Sequence, residues 1–323
     1  MHMKIAIIGA GQLGSRHIQG ALKVNSNIHI EVVEPSETSI SLSKKRNQEV
    51  NTRNKITYHQ NIKCLNGKYE VVIISTNSDV RLGVIKALFN EVEIKNLILE
   101  KVVFQSIEEF NHLDELLKSS ATSVYVNHPR RMYDFYKKLK EELKENQETV
   151  SHIHISGNDW GLACNGLHFI DLSAYLMESE PNEISNQFIQ KITSSKRKGF
   201  IEFIGHLWIN YTNHSSLLIS SLQGQNKATC IDIITPNSRY KIEEGGRAII
   251  STFKKSKWIS DTPIKTPFQS ELTTILIEDI LNNKKPQLTS LNLSKKCHYL
   301  FIESLKDAAF NIDKKVYSKL PIT

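Results

Sequence analysis

No apolar run in the 323 residues approaches the roughly 20 that a membrane-spanning helix needs. The four cysteines, Cys64, Cys164, Cys230 and Cys297, stand far apart and make no Cys-x-x-Cys or Cys/His zinc spacing. Reduced thiols of a cytosolic protein are the expectation. The twelve histidines contain no His-Glu-x-x-His, so no metal centre is expected. There is no internal repeat and no low-complexity segment. An apolar run opens within three residues of Met1 and leaves no room for a signal peptide, which points to the cytoplasm.

The charge excess is modest. A net charge of +7 is the balance that nucleic-acid binders carry, yet the lysines are scattered. The short clusters Lys44-Lys45-Arg46 and Lys196-Arg197-Lys198 read as solvated surface, with mild attraction of anionic cofactors and substrates as the functional alternative. Neither nucleic acid nor membrane is an expected partner. The share of hydrophobic residues, 40%, is that of a folded globular chain, and the length suits one or two domains.

The informative stretch is Lys4 to His17, KIAIIGAGQLGSRH. A buried strand, Ile5 to Ile8, runs into Gly9-Ala10-Gly11-Gln12-Leu13-Gly14 and then a helical pattern. This is a G-x-G-x-x-G at a strand-to-helix junction, the context in which it cradles a dinucleotide pyrophosphate. The first glycine allows a tight turn, the second lets the phosphates approach, and the third lets the helix pack close. Gln12 and Leu13 lie at the helix start, where free amides and the helix dipole favour anions. A second strand, Ile28 to Val33, ends in Glu34, about 20 residues beyond Gly14, where a carboxylate meets the ribose hydroxyls of NAD and repels the extra phosphate of NADP.

From there strands and helices alternate: a helix from Glu37 to about Glu49 behind Ser36, strands near Lys55–Tyr58, Tyr69–Ile74, Leu97–Leu99 and Val124–Val126, and helices from about Val80 to Phe89 and Ser106 to Leu117. Such alternation predicts a doubly wound parallel sheet, a Rossmann domain over residues 1–125. Ligands of these sheets bind beyond the carboxyl ends of the strands, and Glu34, Thr76, Asn77, Glu100, Lys101 and Asn127 sit there. After a charged helix, Tyr133 to Glu145, the pattern turns to period two: 151–156, 201–211, 216–222, 228–235, 239–242 and 247–253, with turn signals at Pro236-Asn237 and Gly245-Gly246. Helices return at Phe268–Leu281 and from Ser294 to about Asn311. Residues 126–323 are expected to form an α+β domain on a large, open, mostly antiparallel sheet, so the fold class is α/β in two domains.

Two constellations carry chemistry. Lys101 closes a central strand, where its ammonium can bond a reacting hydroxyl and stabilise developing charge, or can simply be a surface lysine. Residues 158–172, NDWGLACNGLHFIDL, form a loop leading into an apolar helix with Asn165 as a plausible N-cap, His168 in the first turn and Asp171 one turn on. Imidazole is a general base near neutral pH and a carboxylate three residues away can orient it; packing is the alternative use of such a histidine.

Together, GAGQLGSRH, VVIISTNS, LEKVV, VNHPRRM and GLHFIDL, in this order across the chain, resemble the glucose–fructose oxidoreductase / inositol dehydrogenase (Gfo/Idh/MocA) family. The resemblance implies an NAD(P)-dependent oxidoreductase that interconverts a secondary alcohol and a ketone of a sugar, cyclitol or derivative. It maps the family's catalytic lysine onto Lys101 and its histidine onto His168. It also implies pairing of subunits through the large sheet, where His152 and His154 share one face. Two positions depart from the family pattern. Cys164 stands where many members have Asp, with Asp159 upstream as a substitute carboxylate, and Val102 replaces a proline. Asn127, Arg130 and Arg131 follow the sixth strand, where the family turns toward substrate. An arginine facing the cleft would suit an anionic substrate, whereas the alternative is a brace. The departure at Cys164 keeps open a rival, a non-catalytic member of the fold that senses NAD or a sugar.

Overall fold

The computed structural model describes residues 3–225, 229–244, 249–254 and 257–323. The elements in chain order are β1 (Met3–Ile8), α1 (Gly14–Leu22), β2 (Ile28–Val33), α2 (Glu37–Asn47), β3 (Lys55–His59), β4 (Gly67–Ile74), α3 (Ser78–Glu91), β5 (Val92–Glu100), α4 (Ile107–Leu117), β6 (Ser123–Asn127) and α5 (Asp134–Glu145). There follow β7 (His152–Asn158), α6 (Leu162–Met177), β8 (Pro181–Ser194), β9 (Ile201–Tyr211), β10 (Ser216–Leu222), β11 (Thr229–Ile234), β12 (Ser238–Glu244), β13 (Ile249–Lys254), β14 (Lys257–Pro263), α7 (Gln269–Leu281), β15 (Thr289–Ser290) and α8 (Leu291–Asp313). The chain divides into two compact units, one of Met1–Pro129 with Pro267–Leu291, the other of Arg130–Thr266 with Asn292–Thr323.

The first unit is a Rossmann fold. Its sheet runs β15-β6-β5-β4-β1-β2-β3, parallel throughout except for the short β15. The strands at its centre are continuous apolar runs because both faces are covered: Ile5, Ala6 and Ile7, Val71 to Ile74, and Leu97 to Leu99 are all fully buried. Ser36 caps α2 as expected, its hydroxyl accepting from the Ser39 amide at 3.3 Å. The returning segment 267–291 departs from a simple cut at 125/126. Its helix α7 lies against α1, where Gly20 removes the side chain that would keep them apart. A Cβ there would lie 2.5 Å from the Ser270 carbonyl oxygen and 2.6 Å from the Thr273 Cβ.

The second unit is built on a sheet ordered β14-β13-β12-β11-β7-β10-β9-β8 among the described residues. All its pairings are antiparallel except β7 with β10. The apolar helix α6 packs on β9 and β10. The expected strands at 228–235 and 247–253 start in residues outside the described set, as does the Gly245-Gly246 turn. Two strands escaped the period-two reading, β8 and β14. In β8 the alternation is broken by three register shifts against β9, and only two of its fourteen residues are buried, as suits a sheet edge. No helix of the described residues is long and apolar enough to cross a membrane.

The Gly20 contact generates a test. Gly20→Ala gains about 1 kcal/mol in helix propensity, but the methyl meets backbone, and overpacking costs about 1–3 kcal/mol. The variant is expected to melt a few degrees below the parent by circular dichroism. An equal or higher melting temperature would show that α1 and α7 are not closely packed.

Candidate functional site

The glycine loop and the acidic strand end are brought together. Gly9 has φ +97°, a conformation open to glycine, and its amide donates to the Val33 carbonyl at 2.9 Å. A Cβ on Gly14 would lie 2.0 Å from the Gly9 carbonyl oxygen, so only glycine lets α1 approach the turn this closely. Around Gly11 the outcome is opposite: no atom lies within 4 Å of a Cβ position, which leaves the backbone approachable. Glu34, 8% exposed, turns its carboxylate onto the loop, with Oε2 accepting from the Ala10 amide at 2.7 Å and Oε1 from the Ser36 amide at 2.9 Å. Each oxygen keeps a lone pair for a further donor. Gln12 is exposed and Leu13 half-buried at the helix start. At the end of β4, the Thr76 hydroxyl is buried with no hydrogen-bond partner among the described residues, and Asn77 is exposed in the N-cap position of α3. An approachable Gly11, a carboxylate at the β2 end and an orphaned hydroxyl at the β4 end fit a bound dinucleotide.

Glu100 ends β5 and Lys101 follows it. Glu100 is 4% exposed and its Oε1 accepts from His17 Nε2 at 2.8 Å and Asn127 Nδ2 at 2.5 Å. Burial alone would raise the Glu100 carboxyl. The hydrogen bond and charge of His17, with the Asn127 bond and the nearby Lys101, outweigh it and hold the group below the ordinary carboxylate value. His17 Nδ1 meets Thr273 Oγ1 at 2.9 Å, and that hydroxyl donates to the Gln269 carbonyl at 2.8 Å. Lys101 is half-buried, and its peptide bond to Val102 is cis. The loop it opens is held by Arg81, 1% exposed, whose guanidinium donates to the carbonyls of Glu100 (2.6 Å), Val103 (2.9 Å), Val102 and Thr76.

Apart from Asn127, the other expected residues lie in the second unit. Arg130 and Arg131 are both engaged by carboxylates. Arg130 makes a bidentate pair with Glu244, the closest contact 2.6 Å, and stacks on the Phe169 ring at 4.3 Å. Arg131 donates to both oxygens of Asp171, at 2.6 and 2.9 Å. Their geometry is that of braces, and Asp171, expected to orient His168, is paired with Arg131. Asn127, expected toward substrate, is 2% exposed and supports Glu100.

The start of α6 also differs from expectation. Asn165 is not its N-cap: the helix begins at Leu162 behind Gly161 (φ +81°), and His168 falls in its second turn. The reason is a carboxylate distant in sequence. Glu202 on β9 accepts from the Ala163 amide at 2.7 Å and the Cys164 amide at 3.2 Å, the task of an N-cap side chain. Asn165 instead donates to the Trp160 carbonyl at 2.6 Å. Asp159 is exposed with φ +46°, and Cys164, Asn165 and His168 are half-buried along one stripe of α6. Asp159, Cys164 and Asn165 line one cavity.

Sequence reading missed His17, Arg81 and Glu202, and took Arg46 with its lysine neighbours as solvated surface. Arg46 donates to the Gln12 carbonyl at 2.8 Å and the Gln12 Oε1 at 2.6 Å, bringing a cation to the glycine loop. Only His17 carried a signal, its place three residues beyond Gly14. The Arg130–Glu244 pair yields a pH test. Burial raises the Glu244 carboxyl, but the Arg130 charge and the bonds from Arg130 and Tyr136 hold it below 4.5. A carboxyl depressed on folding adds stability that is present above its unfolded value of about 4.5 and lost as pH falls through the folded value. Glu244→Gln leaves Arg130 buried without its partner and is expected to cost about 3–5 kcal/mol near pH 7. Melting curves should show the gap between parent and variant narrowing below about pH 4.5; a constant gap would deny the pair its pH dependence.

Residues 3–128 match the model of the GFO_IDH_MocA oxidoreductase family, NAD-binding Rossmann fold. No curated protein matches the chain. Among solved structures, it resembles the super-repressor mutant of Gal80p from Saccharomyces cerevisiae (TM-score 0.73, 14% identity, 97% of each chain covered). It also resembles an oxidoreductase from Agrobacterium radiobacter in complex with NAD+, L-tartaric acid and magnesium (TM-score 0.71, 13% identity, covering 96% of this chain and 97% of that one). A third is myo-inositol 2-dehydrogenase from Lactobacillus plantarum (TM-score 0.69, 15% identity, covering 97% and 98%). At these identities the likeness is one of fold, and it extends over both units. The match to the Gfo/Idh/MocA oxidoreductase family is thus carried by residues 3–128, the NAD-binding Rossmann part of the chain.

Proposed function

We propose that the protein is an NAD-dependent oxidoreductase that interconverts a secondary alcohol and a ketone on a sugar, cyclitol or sugar derivative. The observation that carries the reading is the glycine loop with the Glu34 carboxylate bonded to it through Ala10. NAD, when bound, supplies the hydride acceptor or donor. Gly9, Gly11, Gln12, Leu13 and Gly14 hold the pyrophosphate, Glu34 takes the ribose hydroxyls, and Thr76 and Asn77 bond the cofactor beyond β4. Lys101 donates to the reacting oxygen and stabilises charge on it, and His168 takes the hydroxyl proton or returns it in the reverse direction. The myo-inositol 2-dehydrogenase fold supports a polyol substrate.

A second reading, ligand binding without turnover, is favoured by Cys164 in place of a carboxylate and by the likeness to Gal80p, solved as a super-repressor mutant. Purified protein given NAD and a panel of sugars, cyclitols and nucleotide sugars is expected to produce NADH absorbance with at least one of them. Lys101→Ala and His168→Ala should each lower kcat/KM by about 10²–10⁴-fold while NAD affinity holds within about twofold. Unchanged rates would remove these two residues from the chemistry. NAD binding with no turnover across the panel would favour the second reading.

The same reading includes a homo-oligomer formed through the second unit's sheet. Its open face carries Trp208, 38% exposed, stacked on His152 at 5.4 Å, and Phe188, 54% exposed. Trp208→Glu is expected to shift the protein toward monomer in sedimentation velocity; an unaltered profile would place any self-association elsewhere.

A further inference from the structure

Resting on the NAD site above, we propose that Arg46 is a positioning residue for the anionic part of the dinucleotide. It holds Gln12 of the glycine loop so that the side-chain amide offers its N–H groups to the pyrophosphate, and it adds a positive charge beside the loop. Arg46 stands in the last turn of α2, outside both the glycine motif and the acidic strand end. It belongs to the same compact unit as the loop it reaches.

The Arg46 carbonyl accepts from Gln19 Nε2 at 2.7 Å, which ties the end of α2 to α1. From there the side chain reaches the start of α1. One guanidinium nitrogen donates to the Gln12 carbonyl at 2.8 Å and to the Ser15 hydroxyl, and the other to Gln12 Oε1 at 2.6 Å. Ser15 Oγ donates in turn to the Gly11 carbonyl at 2.8 Å. The guanidinium fork therefore holds Gln12 directly and Gly11 through Ser15. The Gln12 carbonyl needs such a donor. The Ser15 amide serves Gly11 and the Arg16 amide serves Leu13, so the first turn of α1 sends no backbone amide to Gln12. A guanidinium has donors only, so the Gln12 atom that meets it is the oxygen, and the two donors of Nε2 are left for a ligand.

The placement of charge separates this arrangement from a plain brace. The N-terminal end of a helix is already positive, and a cation there is disfavoured. A structural cap would be acidic, yet the first turn of α1 has no acidic residue and its start has no side-chain cap. Arg46 instead brings a guanidinium to that end, and its hydrogen bonds go to neutral oxygens. Neither carboxylate of the surroundings pairs with it. Glu34 accepts from the Ala10 and Ser36 amides, and Glu49 accepts from Gln19 at 2.9 Å and lies 4.0 Å from Arg16. Burial, followed by the Arg16 charge, pulls the Arg46 guanidinium below its ordinary value, and Glu49 opposes this without restoring it. Two arginines against Glu49 leave a positive excess beside the helix start. With a pyrophosphate bound, that excess becomes favourable.

The test uses the full-length chain and two probes, NAD and ADP-ribose, which share the pyrophosphate. In isothermal titration Arg46→Ala is expected to bind both about tenfold more weakly than the parent. Arg46→Lys keeps the charge but not the fork, and is expected to fall about threefold below the parent. Parent affinity should drop as salt rises from about 0.05 to 0.5 M, and that drop should be shallower in Arg46→Ala. The loss in Arg46→Ala/Gln12→Ala should be smaller than the product of the two single losses, because Arg46 acts partly through Gln12. Circular dichroism at the titration temperature checks folding; if Arg46→Ala is unfolded, Arg46→Lys decides, and binding equal to the parent's overturns the proposal. Arg46→Ala equal to the parent, Arg46→Lys as weak as the alanine variant, an unaltered salt dependence, or losses that multiply would each overturn it as well. A parent that binds neither probe sinks the NAD reading together with this role of Arg46. A parent that binds NAD, with Arg46→Ala binding equally well, sinks the role of Arg46 alone. NAD binding that depends on Arg46, with no turnover of any substrate, would keep the role and count against the oxidoreductase reading.

Discussion

A single buried carboxylate, Glu100, ties together the elements that matter in the first unit. Its side chain takes hydrogen bonds from α1 through His17 and from β6 through Asn127, and its carbonyl takes one from α3 through Arg81. His17 in turn reaches Thr273 on α7. Leaving a buried polar group without its hydrogen-bond partner costs about 1–3 kcal/mol, more for a carboxylate, a large share of a domain's roughly 5–15 kcal/mol of stability. The energetic weight of this cluster therefore falls on the register between the helix behind the glycine loop and the strand that leads to Lys101. The same cluster explains why 267–291 returns to the first unit: α7 supplies the hydroxyl that completes His17, and Gly20 makes room for it.

The parts legible in the sequence are those whose cause is local. Gly9, Gly11 and Gly14 each answer a backbone requirement set within a few residues, and continuous apolar runs mark strands covered on both faces. Period-two patterns found most strands of the second sheet, but not β8, whose register shifts break the alternation. The alternation of strands and helices was enough for the Rossmann unit and the open sheet.

What sequence could not show is a partner far along the chain. The start of α6 was misread because Glu202, 38 residues beyond Cys164 and on another element, does the capping that Asn165 was expected to do. Arg130 and Arg131 looked like candidates for an anion because their carboxylates, Glu244 and Asp171, lie 114 and 40 residues away. Arg81 gave no signal, because an arginine that bonds only backbone carbonyls has no characteristic spacing. Arg130 and Arg131 were singled out from the sequence, and their partners decided between binding and bracing.

The central claim is that the loop at Gly9–Gly14 and Glu34 form an NAD site that discriminates against NADP. Arg46 at Gln12 brings a positive charge near the loop, while Glu34 puts a negative one at the β2 end, so the cofactor preference reports which of them governs the ribose. The most direct measurement is a calorimetric titration of the wild-type protein with NAD and, separately, with NADP. The account predicts saturable binding of NAD with NADP at least about tenfold weaker. Absence of NAD binding, or tighter binding of NADP, would contradict it.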